Sequence, residues 1–263
     1  ELCEAARRDY GGRDDVAIHC NAENRGLSYG RNKGAQLATG EVIAFLDDDA
    51  LADEGWVEEL VGAYDRHDAL AVGGRMVPEW VAGRPEYVPE EFYFLFGVTH
   101  AGFSTEETEV RNTFSSNLSF RREVFLDLGG FKEHLGKRGT NDLQGGETEL
   151  CSRLRENYDT GVVYNPNAVV AHKVFDYRTR FRWLIGRAFW QGYSKRMMEV
   201  ETPGAIEQEW GFLGQLLRRF IPRRIKALIR RPSVDEATQL VALLTFLGAV
   251  GAGYGWAAVS GWR

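Results

Sequence analysis

The sequence predicts an α/β domain on a mainly parallel sheet, continued by a basic amphipathic helix and one transmembrane helix. Three observations lead there. Short apolar runs alternate with helix-period segments through the first two hundred residues. Residues 212–231 carry seven basic side chains and no acidic one. Residues 237–262 carry no charge at all. The 263 residues suffice for one large domain and an appendage, and 44% hydrophobic with 27% charged residues is an ordinary globular balance. A net charge of -6 argues against a dedicated nucleic-acid binder. The three cysteines, Cys3, Cys20 and Cys151, are odd in number and widely spaced. Neither a zinc site nor a disulfide framework is expected from them, and a reducing compartment is the simplest reading. No apolar core of a signal peptide opens the chain.

The elements follow in order. Val16 to His19 is a short strand candidate. Leu27 to Thr39 reads as a helix stopped at Gly40. Residues 41–46 form an apolar strand that runs straight into Asp47, Asp48 and Asp49. A helix begins near Asp53 and buries Trp56, Leu60 and Tyr64, and residues 69–74 give another strand. In the basic stretch, apolar residues from Leu213 to Ile229 recur at helical spacing, with a kink expected at Pro222. That pattern fits a membrane-surface helix, or the solvated face of a packing helix. Ser233 and Glu236 form a possible capping box for the next helix. From Thr238 to Val259 a helix would reach about 33 Å, against about 30 Å of bilayer hydrocarbon. It reads as a transmembrane span, or as a buried helix packed on the domain. Gly251 and Gly255 have the spacing of a helix-pairing motif. Basic residues just before the span place the preceding domain on the cytoplasmic side. The expected division is 1–200 for the catalytic-type domain, 201–232 for the basic segment and 233–263 for the span.

The acid triplet carries the clearest chemistry. Ligands of open α/β sheets bind beyond the carboxyl ends of strands. On an extended tip Asp47 and Asp49 point the same way. Two such carboxylates suit Mg²⁺ or Mn²⁺ completed by substrate phosphates. The bland alternative is a solvated cap for the following helix. Just upstream, Asn24, Gly26, Arg31 and Gly34 combine close backbone approach with a guanidinium that can fork onto phosphate.

The run N-x-G-L-S-x-x-R-N-x-G (24–34), followed by A-x-G-E-V-I-A-F-L-D-D-D (38–49), resembles the signature of family 2 glycosyltransferases of the GT-A fold, which is Rossmann-like. The resemblance continues through Val72–Pro78, Ser116–Arg122, Leu128–Phe131, Gly145–Leu154 and Tyr164–His172. The basic stretch and apolar tail are similar to those of membrane-bound archaeal enzymes that build lipid-linked N-glycans. The family resemblance implies inverting transfer of a sugar from a nucleotide-diphosphate donor to a glycan or polyprenyl-phosphate-linked acceptor. It implies metal binding by Asp47 and Asp49, often with a histidine at the position of His172, whose other reading is structural. It implies donor contacts from Asn24, Gly26, Arg31, Asp48 and Asn117. The catalytic base falls on Glu147, where the family has Asp, with Glu149 as the alternate. The preceding family acid is replaced here by Gly146. Lys195 and Arg196 are placed to meet phosphates of the donor or a lipid acceptor, or else form a solvated face. The aromatics between 79 and 111 line an acceptor site or are core. The family also opens with a strand, a helix and a strand ending in Asp-Asp-x-Ser, and no such segment precedes Val16. An N-terminally truncated fold is therefore expected. Rival readings are a non-catalytic membrane-tethered remnant and a metal-dependent nucleotidyltransferase, which Gly145–Leu150 fits poorly.

Overall fold

The structure is a computed structural model that describes residues 2–137, 143–201 and 207–260. Helices α1 (Leu2–Tyr10) and α2 (Leu27–Leu37) precede strand β1 (Val42–Phe45). Next come β2 (Ala50–Ala52), α3 (Trp56–His67) and β3 (Ala71–Trp80). A 3₁₀ helix at Glu90–Phe96 leads to β4 (Thr108–Val110), β5 (Leu118–Arg121) and α4 (Arg122–Asp127). The chain continues through α5 (Gly146–Tyr158), the long β6 (Val162–Val174) and α6 (Phe181–Glu201). It ends in α7 (Glu207–Gln215), a π-helical turn at Leu216–Phe220, α8 (Ile221–Arg230) and α9 (Val234–Ser260).

The sheet runs β1-β5-β3-β6-β2, with β4 also on β6. It is mixed, which corrects the mainly parallel expectation. Among the described strands only β3 and β6 pair in parallel; the other four pairings are antiparallel. The reason is insertion. After α3 the chain does not return beside β1, because β5 arrives later and takes the place between β1 and β3 in the opposite direction. The strand expected at Val16–His19 is irregular, with no ladder partner. Cys3 and Cys20 are joined by a disulfide that ties α1 to this segment, contrary to the all-reduced reading; spacing alone could not show that the helix returns to meet Cys20. Cys151 is a buried free thiol.

Two glycines let β3 lie flush in the sheet. A Cβ on Gly73 would sit 2.0 Å from Thr113 Oγ1, and one on Gly74 would sit 2.0 Å from the Ala168 carbonyl. One core cluster joins β3 and β6 to α3, to Phe92 and Leu95 of the 3₁₀ helix, to Leu184 and Ala188 of α6, and to Ala242, Leu243 and Phe246 of α9. A second lies under β1 and β5 against α2, α4 and α5.

α9 is long and apolar enough to cross a membrane by length and composition. Its inner face shares the domain core, while Val241, Leu244, Trp256 and Val259 are exposed. The close helix pairing is made by Gly253, not by Gly251 or Gly255. A Cβ on Gly253 would fall 1.9 Å from Phe189 O of α6, and one on Gly192 of α6 would fall 1.8 Å from Val250 O. A Cβ on Gly251 or Gly255 would meet nothing within 4 Å. Ser233 Oγ accepts the Glu236 N–H at 3.1 Å, capping α9 as its sequence suggests. Pro222 lies in the first turn of α8, where its missing N–H costs nothing, and the break before it is the π-helical turn. Arg224, from the basic stretch, is not a surface charge. It makes a bidentate pair with buried Glu91 at 3.0 and 2.7 Å, pinning α8 to the 3₁₀ helix. The other six basic residues of the stretch are exposed. Gly261 and Trp262, part of the uncharged run, lie outside the described residues.

Candidate active site

The acid triplet is a turn, not an extended tip. Ala50 N–H donates to Asp47 O at 3.1 Å, so β1 folds directly into β2. This sends the three carboxylates apart. Asp47 turns to α2, where Arg31 donates to its Oδ1 at 2.5 Å. Its backbone N–H is held by Ser116 Oγ at 3.0 Å. Asp48 is exposed. Asp49 turns to β6, because β2 pairs antiparallel with β6 and sets Ala50 opposite His172. Asp49 Oδ1 then lies 3.2 Å from His172 Nε2.

His172 is oriented by the backbone. Its Nδ1 lies 2.7 Å from Phe96 O, which can only accept, so Nδ1 carries a proton and Nε2 is turned toward Asp49. Arg178 joins the pair: it donates to Asp49 Oδ2 at 2.8 Å and lies 3.3 Å from His172 Nε2. Burial pulls the Arg178 guanidinium down, and Tyr177 and Asp49 more than offset that, so it stays fully charged. A carboxylate and an imidazole nitrogen 3.2 Å apart are donor types that fit a divalent ion taking its other ligands from phosphate and water. Among the described residues no group of three or more His, Cys, Asp or Glu side chains is placed to hold a metal. Asp47 is therefore not assembled with Asp49 and His172, because Arg31 has claimed it.

The two glutamates at the start of α5 separate cleanly. Glu149 has a fully buried side chain. It accepts two bonds from Arg153, at 2.8 and 2.7 Å, and lies 2.8 Å from Lys132 Nζ. Arg153 also donates to the carbonyls of Leu128 and Gly130, so Glu149 anchors the loop before α5. The bond to Glu149 raises the Lys132 ammonium above its ordinary range. Glu149, the alternate base of the sequence reading, is thus fully paired and does not line the cavity that Glu147 faces. Glu147 instead faces a cavity of about 1240 Å³. The same cavity is lined by Arg31, all three Asp residues, His172 and Arg178.

The predicted donor contacts divide likewise. Asn24, Gly26, Arg31 and Asp48 line a smaller adjoining depression of about 650 Å³. Asn24 Oδ1 accepts the Gly26 N–H at 3.0 Å, and Gly26 has a φ of 91°, which favours glycine. Asn117 is elsewhere. It is wholly buried, accepts from Trp56 Nε1 at 2.8 Å and donates to Ala168 O and Arg75 O at 2.8 and 3.1 Å. It brackets α3, β3 and β6 and does not line the cavity, so its donor role is corrected; its neighbour Ser116 lines the cavity instead. Lys195 lines the cavity, whereas Arg196 pairs with Glu199 at 2.6 Å. Arg178 was missed by sequence reasoning. The only signal is an arginine six residues after a strand histidine, which means nothing until the chain is seen to fold back.

The model of the family "Glycosyl transferase family 2" matches residues 1–129. A glucosyl-dolichyl phosphate glucuronosyltransferase of Haloferax volcanii is 48% identical over 255 residues, covering 97% of this chain and 82% of that protein. Among solved structures, a mannosyltransferase from Pyrobaculum calidifontis with GDP-Man and Mn²⁺ superposes with a TM-score of 0.53 at 18% identity, covering 98% of this chain and 74% of that one. S. aureus TarS with UDP-GlcNAc gives 0.51 at 16%, covering 95% and 69%. These two establish the fold. The chain belongs to glycosyltransferase family 2 and is a glycosyltransferase.

Proposed function

We propose that the enzyme transfers a glucuronosyl residue, with inversion, from a nucleotide-diphosphate sugar to a glucosylated polyprenyl phosphate at a membrane surface. One observation carries the chemistry: Glu147, the Asp49–His172 pair and Arg31 line one cavity. The substrate class follows the Haloferax relative, at 48% identity over nearly the whole chain. Asp49 and His172 would hold Mg²⁺ or Mn²⁺, which would supply positive charge to the leaving diphosphate. Arg31 and Arg178 add fixed positive charge where that leaving group accumulates negative charge. Asn24, Gly26 and Asp48 take the nucleoside side. Glu147 accepts the proton of the acceptor hydroxyl as its oxygen bonds to the anomeric carbon and the nucleotide diphosphate departs. The exposed face of α9 and the six exposed cations beside it associate the enzyme with the membrane, with the catalytic domain on the cytoplasmic side.

The test is a transfer assay on detergent-solubilised protein with Mn²⁺, glucosyl dolichyl phosphate, and UDP-glucuronate or UDP-glucose as donor. A disaccharide lipid formed only from the glucuronate donor is the expected product, with the opposite anomeric configuration by NMR. Equal transfer to a free glucoside lacking the polyprenyl phosphate would overturn the acceptor assignment.

A further inference from the structure

One half-buried side chain of the cavity has no part in the chemistry above. His100 lies in the loop between Phe96 and β4, and its ring lines the cavity. The loop is fastened on both sides of it. Thr99 N–H donates to Met76 O at 3.0 Å and Thr99 Oγ1 accepts the Met76 N–H at 2.9 Å, which ties one neighbour to β3. Ala101 N–H donates to Glu90 O at 3.1 Å, which ties the other to the 3₁₀ helix. Gly97 and Gly102, with φ of 73° and 96°, turn the chain into and out of this segment. Three phenylalanine rings frame the imidazole. Phe94, Phe103 and Phe212 have centroids 5.7, 5.7 and 5.0 Å from it, and all three line the cavity.

The ring has one polar atom to offer. His100 Nδ1 lies 3.0 Å from Ala101 O, which can only accept, so Nδ1 carries a proton. Burial pulls the imidazole below its ordinary value and the Lys195 charge adds to that, against the bond to Ala101, so the ring is neutral at neutral pH. Its Nε2 is then an acceptor, and among the described residues it has no hydrogen-bond partner. An ionised phosphate or carboxylate has no proton to give it. A hydroxyl has one, and the carbon faces of a pyranose suit the phenylalanine frame. The place fits the acceptor. The loop begins beside the metal pair, where a Cβ on Gly97 would fall 3.4 Å from His172 Cε1. On its other side His100 feels Lys195 of α6, next to Ser194, whose Oγ accepts the Gln144 N–H three residues before Glu147. Resting on the transfer reaction proposed above, we propose that His100 Nε2 accepts a hydrogen bond from a hydroxyl of the uncharged acceptor hexose, whose ring packs among Phe94, Phe103 and Phe212. His100 thereby selects the acceptor sugar.

The experiment titrates the solubilised full chain with glucosyl farnesyl phosphate, with its monodeoxyglucosyl analogues, and separately with UDP-glucuronate and Mn²⁺. In the wild type one deoxy analogue is expected to bind about three- to tenfold more weakly than the parent, the worth of one hydrogen bond. His100→Phe keeps a ring in the frame and loses the nitrogen, so that analogue and the parent should bind it equally, with the UDP-glucuronate titration unchanged. His100→Gln places an acceptor atom elsewhere without the ring, and should narrow the same difference without abolishing it. Equal binding of parent and analogues by the wild type overturns the proposal, as does a wild-type deoxy pattern kept in either variant. A loss confined to UDP-glucuronate overturns it as well and gives His100 to the donor. A His100-dependent deoxy pattern in a protein that transfers nothing to glucosyl dolichyl phosphate would remove the proposed reaction and leave the site standing.

Discussion

The sheet wall and the helix wall of the cavity are built by different means. On the sheet side every working group sits where a regular element ends. Asp47 to Asp49 occupy the β1–β2 turn, His172 lies opposite β2, and Glu147 is in the first turn of α5. Asp47 N–H donates to Ser116 Oγ, Lys173 N–H donates to Asp49 O, and His172 Nδ1 bonds to Phe96 O, tying these ends to neighbouring elements. On the helix side Trp183, Arg187, Gln191 and Lys195 of α6 are four residues apart, and their place depends on how α6 lies against α9. The difference separates groups placed by the ends of strands and helices from groups placed by the packing of one helix on another.

The comparison breaks most sharply at the two glutamates. Glu147→Gln should lower kcat about 10³-fold while donor affinity, measured by titration, stays within twofold. Glu149→Gln should do the opposite: it costs about 3 kcal/mol of stability, seen as a lower denaturation midpoint, with kcat of the folded protein nearly kept. The reverse pattern would put the base on Glu149. The Glu149 partner also gives the pH sign. Because Lys132 has a raised pKa in the folded chain, its contribution is complete below its ordinary range and fades only as alkali passes the raised value. The stability gap between wild type and Glu149→Gln should therefore persist through neutral pH and narrow only in strong alkali.

A second break lies within the acid triplet. Asp49→Asn should weaken Mn²⁺ binding, read by paramagnetic titration without donor, about 100-fold, and Asp47→Asn far less. Equal losses would mean that Arg31 releases Asp47 to the metal. On the helix side the test is packing. Gly192→Ala drives a methyl into Val250 O and should cost about 1–3 kcal/mol, whereas Gly251→Ala meets open space and should be neutral or stabilising by up to about 1 kcal/mol. The smallest effect is chemical. Burial pushes the Cys151 thiol far up, so the reduced, folded enzyme should titrate two thiols with a disulfide reagent at pH 8, Cys3 and Cys20, and not three.

Much of the sheet wall was legible because its residues are contiguous. An apolar run ending in three acids, a Gly-Leu-Ser-x-x-Arg-Asn segment and a Gly-Gly-Glu helix start each carry their meaning within a dozen residues. Even so, the Arg31 and Arg153 contacts decided which acids are available, and those contacts join residues 16 or more apart, or a helix turn whose facing is set by packing. Asn117 was misread because a buried bracket and a ligand contact use the same amide; only its three internal partners tell them apart. Strand direction was illegible for a similar reason, since alternating strands and helices do not say where β5 will insert. The span was legible as an apolar helix. That its inner face belongs to the core depended on Gly192 and Gly253, and glycine spacing alone pointed to Gly251 and Gly255.

The crossing at Gly192 and Gly253 leaves no side-chain cushion between α6 and α9. Neither helix can turn or slide by a fraction of a pitch without backbone striking backbone. α9 turns Val241, Leu244 and Trp256 outward, and α6 lines the cavity that Glu147 faces. The spacing between that exposed face and the cavity wall is thus a built-in length, like the set jaw of a caliper.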